Sequence, residues 1–281
     1  MKEKLYIIPV KDSLRAHDEC PFCYMERSLE QYALYSVLGA SCSYMESDVR
    51  EVTDREGFCR DHYRKMFAYG NALGNSLILE THLRRLKKDL LKEMQHYSEN
   101  GKSGKLSLMG RFRTGGPSSG AASGATAGAA FGSGSTTVVA DSNNNVSRWI
   151  RAEECSCHIC NIIKSQFQRY LATFFLLYKQ NDSEFMELLR DGKGVCIHHL
   201  ADVLDTAPQY INDKQQKELR ELLFAQMETN LDRMIDELEW FQKKFDYRYR
   251  DADWNGAQDS VQRAMQKIAG GYPADSPHRG K

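Results

Sequence analysis

The chain has 281 residues, with 38 basic and 38 acidic side chains, so its formal net charge is zero. That balance gives no indication of a globally basic nucleic-acid binder, although it leaves room for a local patch. Hydrophobic residues at 41% and charged residues at 27% fit a soluble globular protein of one large or two ordinary domains.

The N-terminal segment, up to Cys20, has only a short apolar run, broken by Pro9 and Lys11, too short for a signal peptide. The longest apolar run, Tyr170 to Tyr178, is nine residues long and contains Thr173, whereas a membrane-spanning helix needs about 20. A cytoplasmic protein is therefore expected. In that compartment thiols stay reduced, so eight cysteines point to metal ligands or redox groups before structural disulfides.

Cys20-Pro21-Phe22-Cys23 comes first, and after it Met25, Leu29, Tyr32, Ala33 and Val37 fall at helical spacing. A helix of about five turns travels about 28 Å at 1.5 Å per residue. A shorter return helix is expected near 46–55, followed by Gly57-Phe58-Cys59-Arg60-Asp61-His62 with a helix starting near the cysteine. Return helix and short extended piece together are expected to bring Cys59 and His62 back to Cys20 and Cys23. Leu79, Leu83, Leu86 and Leu90 then continue an apolar face, read as core packing. Arg84, Arg85, Lys87, Lys88 and Lys92, with Lys102, Lys105, Arg111 and Arg113 beyond, form a basic stretch. It reads as a solvated helix face, with a polyanion contact as the alternative.

Gly, Ser and Ala dominate the stretch after residue 100 and apolar periodicity disappears, so a flexible linker is expected over 101–147. It separates a first zinc-binding helical unit, 1–100, from a second one with a C-terminal helix, 148–273; a disordered tail is expected at 274–281.

The second half repeats the first. Cys157-His158-Ile159-Cys160 is followed by 35 residues and then Cys196-Ile197-His198-His199; 35 residues also separate Cys23 from Cys59. Every ligand candidate moves by 137 positions, and Gly57 maps onto Gly194. Glu80-Thr81-His82-Leu83 matches Glu228-Thr229-Asn230-Leu231 at a shift of 148, which places an insertion around Thr206 to Tyr210, where Pro208 breaks the helix. Ile163, Phe167, Tyr170, Leu171, Phe174 and Tyr178 mark the second long helix. A return helix is expected near 182–190, with Asn181, Asp182 or Ser183 as its cap, and Met227, Leu231, Met234, Leu238, Phe241 and Phe245 form the last long apolar face. The expected fold is all-α: a duplicated helical unit of zinc-stapled helix, return helix and long helix, forming a pseudo-symmetric bundle. Trp240 to Tyr249, then Trp254 and a short helix over 257–269, interleave aromatics with Lys and Arg. This segment is expected to fold a terminal helix back on the core, the alternative being a ligand or partner surface.

Zinc takes thiolate and imidazole in tetrahedral sets, and Cys3His is an established structural combination. Two intervening residues let the backbone curl so that both donors face one ion. The expected ligands are Cys20, Cys23, Cys59 and His62 in the first half and Cys157, Cys160, Cys196 and His199 in the second, giving two structural Zn2+ per chain. The shift of 137 selects His199 over His198 and sets His158 aside; Cys42 and Cys155 have no counterpart and read as spare thiols. Cys-Pro-Phe-Cys also has the form of a thiol-redox motif, but that motif belongs between a strand and a helix. Four ligands per ion leave no open position for water, and neither an HExxH sequence nor a phosphate-cradling loop is present. No catalytic residue is assigned.

Glu19-Cys20-Pro21-Phe22-Cys23, Gly57-Phe58-Cys59-Arg60-Asp61-His62-Tyr63, the second Cys-x2-Cys, Gly194-Val195-Cys196-Ile197-His198-His199-Leu200 and Lys244-Phe245-Asp246-Tyr247-Arg248-Tyr249 together resemble an uncharacterised bacterial family, mainly of anaerobic Gram-positive bacteria, classed as a domain of unknown function. The likeness spans the chain apart from the linker. It implies a bacterial cytosolic protein and carries no reaction. The reading is a zinc-binding helical protein acting as a binding or scaffolding module toward a protein partner, with no membrane. Its rivals are a thiol-based redox or metal-sensing protein and a nucleic-acid-binding module.

Overall fold

The computed structural model describes residues 4–40, 43–103 and 145–271. Among them are eleven α-helices and no strand: α1 (Lys4–Arg15), α2 (Pro21–Leu38), α3 (Ser47–Glu56), α4 (Arg60–Tyr69), α5 (Ala72–Ser103), α6 (Asn145–Glu154), α7 (His158–Gln180), α8 (Ser183–Asp191), α9 (Ile197–Thr206), α10 (Asp213–Lys243) and α11 (Ser260–Ala269). They divide into two units, Met1–His82 with Ser156–Lys281, and Leu83–Cys155. The first unit thus draws on chain from before and after the Gly/Ser/Ala-rich stretch, while the segments directly flanking the stretch belong to the second. The stretch itself at 104–144 and the expected tail lie outside the described residues, while 101–103 and 145–147 end α5 and begin α6.

The axis of the first unit is the pair α2 and α7. Phe22, at the start of α2, packs on Phe167 and Phe174 of α7, with centroids 6.0 and 5.2 Å away. Ala33, Leu34, Val37 and Leu38, at the end of α2, share a core with Cys157 and Ile159 at the start of α7. The two helices are therefore antiparallel. Helical spacing marks their buried faces well: Met25, Leu29, Ala33 and Val37 on α2, and Phe167, Leu171, Phe174 and Tyr178 on α7, are all buried. Tyr32 departs from the pattern at 64% exposure. Burying one such Leu or Phe is worth roughly 2–3 kcal/mol.

Helix α1 covers this pair, and its Val10 and Leu14 enter the same core. Pro9, which interrupts the short N-terminal apolar run, lies inside α1. Proline there removes one backbone hydrogen bond, and Val10, fully buried, retains its place in the core.

Helices α3 and α8 are the expected returns, and each is much shorter than the long helix before it, 10 residues against 18 and 9 against 23. Asp182 caps α8 by accepting from the Phe185 amide at 2.9 Å, while Asn181 adopts the left-handed conformation that ends α7. The segment around Pro208, where the sequence suggests an insertion, is a 3-10 turn, Ala207–Gln209.

The C-terminal segment folds back on α10. Lys244 Nζ donates to the carbonyls of Tyr249, Arg250 and Ala252, and Trp240 Nε1 donates to Asp253 O at 2.9 Å. Helix α11 then packs on α9 and α10. Phe245, expected on the apolar face, is instead 80% exposed. In the second unit, Leu83 of α5 is likewise 59% exposed rather than packed, and Arg85 from the basic stretch pairs with Asp89 and Glu153.

Candidate metal centres

Each of the four Cys-containing knuckles sits at a helix start. Cys20, Cys157, Cys59 and Cys196 are the N-cap residues of α2, α7, α4 and α9, and the second donor of each pair, three residues on, lies in the first helical turn. Side chains in a first turn point back toward the N-terminus, which turns both donors of a pair to one side.

The eight expected ligands form two clusters, but not the two that the sequence suggests. Cys20 and Cys23 meet Cys196 and His199; Cys59 and His62 meet Cys157 and Cys160. The expectation that each half closes its own site is corrected by this crossing. The reason is a matter of length. Helix α2, of 18 residues, advances about 27 Å, and α3, of 10 residues, recovers only about 15 Å. The chain is thus still near the end of α2 when it reaches Cys59, and the antiparallel α7 begins there. The same argument at the other end delivers Cys196 and His199 to the start of α2.

The donor spacing suits one ion. In the first cluster His199 Nδ1 is 3.5 Å from the sulfurs of Cys20 and Cys23 and 3.2 Å from that of Cys196, and the Cys23 and Cys196 sulfurs are 3.7 Å apart. In the second, His62 Nδ1 is 3.2 Å from the Cys59 and Cys157 sulfurs and 3.4 Å from that of Cys160, and the Cys59 and Cys160 sulfurs are 3.9 Å apart. Tetrahedral zinc, with bonds to sulfur of about 2.3 Å and to nitrogen of about 2.0 Å, gives edges of about 3.8 Å between sulfurs and about 3.5 Å between sulfur and nitrogen.

The electrostatics call for a cation. Burial alone would lower His62, but the Cys157 and Cys59 sulfurs and Glu30 outweigh it and push the imidazole up to about 11. His199, under the same opposition from Cys196, Cys20 and Glu26, is pushed up to about 12. Among the thiols, hydrogen bonds from neighbouring sulfurs hold Cys59 and Cys196 down, while the same neighbours together with burial push Cys23 and Cys160 up. The sulfurs of each cluster therefore cannot all ionise together unaided, and a central divalent ion would let all three act as thiolates.

Two carboxylates that the sequence reading did not single out complete the sites. Glu30 Oε1 lies 3.1 Å from His62 Nε2, and Glu26 Oε2 lies 3.3 Å from His199 Nε2. A carboxylate bonded to the far nitrogen fixes the tautomer in which Nδ1 is free to ligate, as Glu30 does for His62, while Glu26 stands beside His199 Nε2 as a counter-charge. Nothing in the sequence marks these two among the other glutamates; only the crossing brings them to the histidines.

Around the first cluster, Glu19 is 1% exposed and faces Arg233, Arg263, Lys193 and Lys267. Burial would raise its carboxyl, but Arg233, Lys193 and Lys267 hold it below its ordinary value. Lys267, itself fully buried, donates to the carbonyls of Glu19 and Lys193, at 3.0 and 2.6 Å, and so ties the two knuckles together.

The neighbours set aside as ligands fall outside the crossed sets. His158 Nδ1 contacts Glu56 Oε2 at 2.8 Å, and His198 faces Asp202 in a looser group that shares His199. Cys155 is exposed and in neither cluster; Cys42 lies outside the described residues.

Fold and site together define an all-helical protein with two Cys3His clusters, each capable of holding a metal ion. Residues 1–275 match a family of unknown function, DUF6062, and the chain belongs to that family. No curated protein and no solved structure matches it. No helix among the described residues is long and apolar enough to cross a membrane.

Proposed function

We propose that the protein binds two zinc ions as closed structural sites and serves as a rigid helical module for binding or scaffolding a protein partner. The observation that carries this is the pair of four-donor sets, each assembled from both ends of the chain. Soft thiolates with one imidazole, at tetrahedral spacing, favour zinc over magnesium, calcium or manganese. Four protein donors fill the shell, which supports a folding role: each ion joins α2 or α7 to a knuckle more than 90 residues away in sequence. Aromatic side chains held out at Phe67, Phe245 and Tyr247 support a protein partner, while the ion pairs of Arg85 with Asp89 and Glu153 weaken the case for a polyanion.

Elemental analysis of protein purified under reducing conditions tests the metal reading. The expected result is zinc at one equivalent per cluster, with loss of helical circular dichroism when a strong chelator removes it. Less than about half a zinc per chain sinks it.

A further inference from the structure

The two clusters share a donor set and differ in access. In the first, Cys20, Cys23, Cys196 and His199 are all at 0% exposure. Phe22 and Phe167 lie against the His199 ring, with centroids 5.6 and 5.4 Å away. The end of α11 closes the remaining side: a β-carbon on Gly270 would sit 3.6 Å from the Cys196 sulfur and 3.7 Å from that of Cys23. In the second cluster, Cys157 and His62 are buried, but Cys59 is half-buried and Cys160 is exposed.

Reactivity of a sulfur depends on its being thiolate and on its being reachable. A metal ion keeps every coordinated thiol deprotonated, so access alone separates the two sites. We infer that the second cluster is a peroxide-reactive centre, in which Cys160 and Cys59 are oxidised to a disulfide and the metal is released, while the first cluster stays intact. This inference rests on the reading of both clusters as zinc sites.

The step balances as follows. The Cys160 thiolate attacks one oxygen of hydrogen peroxide; the O–O bond breaks, a sulfenic acid forms, and the departing hydroxide takes a proton from solvent to become water. The Cys59 thiolate then displaces hydroxide from that sulfur, the S–S bond forms, and a second proton gives a second water. Two electrons pass from two sulfurs to one peroxide, and zinc keeps its charge throughout. Having lost two of its four donors, the ion leaves. Cys59 is the partner for Cys160 because its sulfur is 3.9 Å away on the accessible side. Cys157 instead sits buried at the N-cap of α7, where its sulfur accepts from the Cys160 amide and contacts His62. The ligand class is therefore a small peroxide, and any thiol reductant with zinc restores the site.

The test uses the full chain with its zinc counted beforehand. Hydrogen peroxide is added beside a chromophoric zinc indicator, and disulfides are mapped by mass spectrometry without reduction. The expected result is prompt release of half of the bound zinc, a Cys59–Cys160 disulfide, retained helicity, and recovery on adding dithiothreitol and zinc. Release of all the zinc at one rate, release of none, or a disulfide joining any other pair overturns the inference while leaving the zinc reading in place. A starting preparation without zinc overturns both. Cys160→Ser should hold the remaining zinc against peroxide; if that variant does not fold, the mapped disulfide of the unaltered chain decides.

Discussion

Glu26 and Glu30 stand one helical turn apart on α2 yet serve different clusters: Glu26 faces His199 Nε2 at 3.3 Å and Glu30 faces His62 Nε2 at 3.1 Å. One helix thus places a carboxylate beside the imidazole of both sites, although it supplies sulfur ligands to only one of them. Partners on the far nitrogen of a ligating histidine are worth roughly 10–100-fold in metal affinity. Glu26→Gln should therefore weaken the first site and Glu30→Gln the second, each by about that factor. Competition against a chelator of known affinity reads this directly. If either substitution weakens both sites equally, or neither, the assignment of one carboxylate to each histidine fails.

The crossed ligand sets make the two ends of the chain depend on each other through metal. Fragments 1–103 and 145–281, produced together, should associate in the presence of zinc and separate when a chelator removes it, because each ion takes two donors from each fragment. Size-exclusion chromatography with and without chelator is the measurement. Fragments that migrate independently in zinc would show that each end satisfies its own metal, as the sequence spacing first suggests.

The long helices α2 and α7, the returns α3 and α8, and the starts of α4 and α9 at Cys59 and Cys196 are legible in apolar spacing and turn chemistry. What the sequence hides is which knuckle meets which. Identical 35-residue intervals suit a site closed within one half or across two, and only the antiparallel pairing of α2 with α7 decides. The repeat expected from the sequence would also be out of register by one turn in the last long helices. The expected repeat pairs His82 with Asn230, but His82 Nδ1 donates to Asp54 O in the last turn of α3, and the residue that does this for α8 is Gln226, whose Nε2 donates to the carbonyls of Leu189, Arg190 and Gly192. Two different side chains meet the same demand, so no match of letters marks them. Helix α1 has no expectation to match, because its short apolar run gives little helical signal until Val10 and Leu14 are seen packed in the core.

Gly57 precedes Cys59 with φ at +57° and ψ at −157°, a region that only glycine enters without strain. A β-carbon there would lie 2.8 Å from His82 Cε1, and that ring is held by its bond to Asp54 O. Gly57→Ala should cost about 2–3 kcal/mol, measured as a lower urea midpoint with zinc in excess. A loss under about 0.5 kcal/mol, the range of ordinary surface changes, would mean that the turn relaxes freely.

Asp182 caps α8 and pairs with Lys11 Nζ at 2.8 Å. Lys11 first, and then the Phe185 amide, hold its carboxyl below the usual 3.8. A depressed carboxyl contributes stability that is fully present above its unfolded value and is lost as pH falls through the folded one. Asp182→Ala should cost about 1 kcal/mol near neutrality. The gap between the two proteins should hold steady down to about pH 5 and narrow on further acidification. Both carry the same clusters, so acid loss of metal is common to them. Urea midpoints across pH provide the check, and a gap that widens toward acid contradicts the assignment.

Lys267 is a charge placed where no water reaches it, with its ammonium on the carbonyls of Glu19 and Lys193 and 4.0 Å from Glu19 Oε2. Burial lowers its basicity, and Glu19 works against that. Replacement by methionine keeps most of the volume but strands two carbonyls and removes one of the cations facing a buried carboxylate. Breaking a buried pair from one side costs roughly 3–5 kcal/mol, so Lys267→Met should lower stability by about 3 kcal/mol. The damage should concentrate on the first cluster, because those carbonyls belong to the segments leading into Cys20 and Cys196. Chelator competition should then show one site weakened and the other unchanged. Lys267→Met together with Glu19→Gln should recover part of the loss, since the carboxylate no longer needs its counter-charge. A double variant as unstable as the sum of the two single ones would show that packing, rather than the charge pair, is what Lys267 provides.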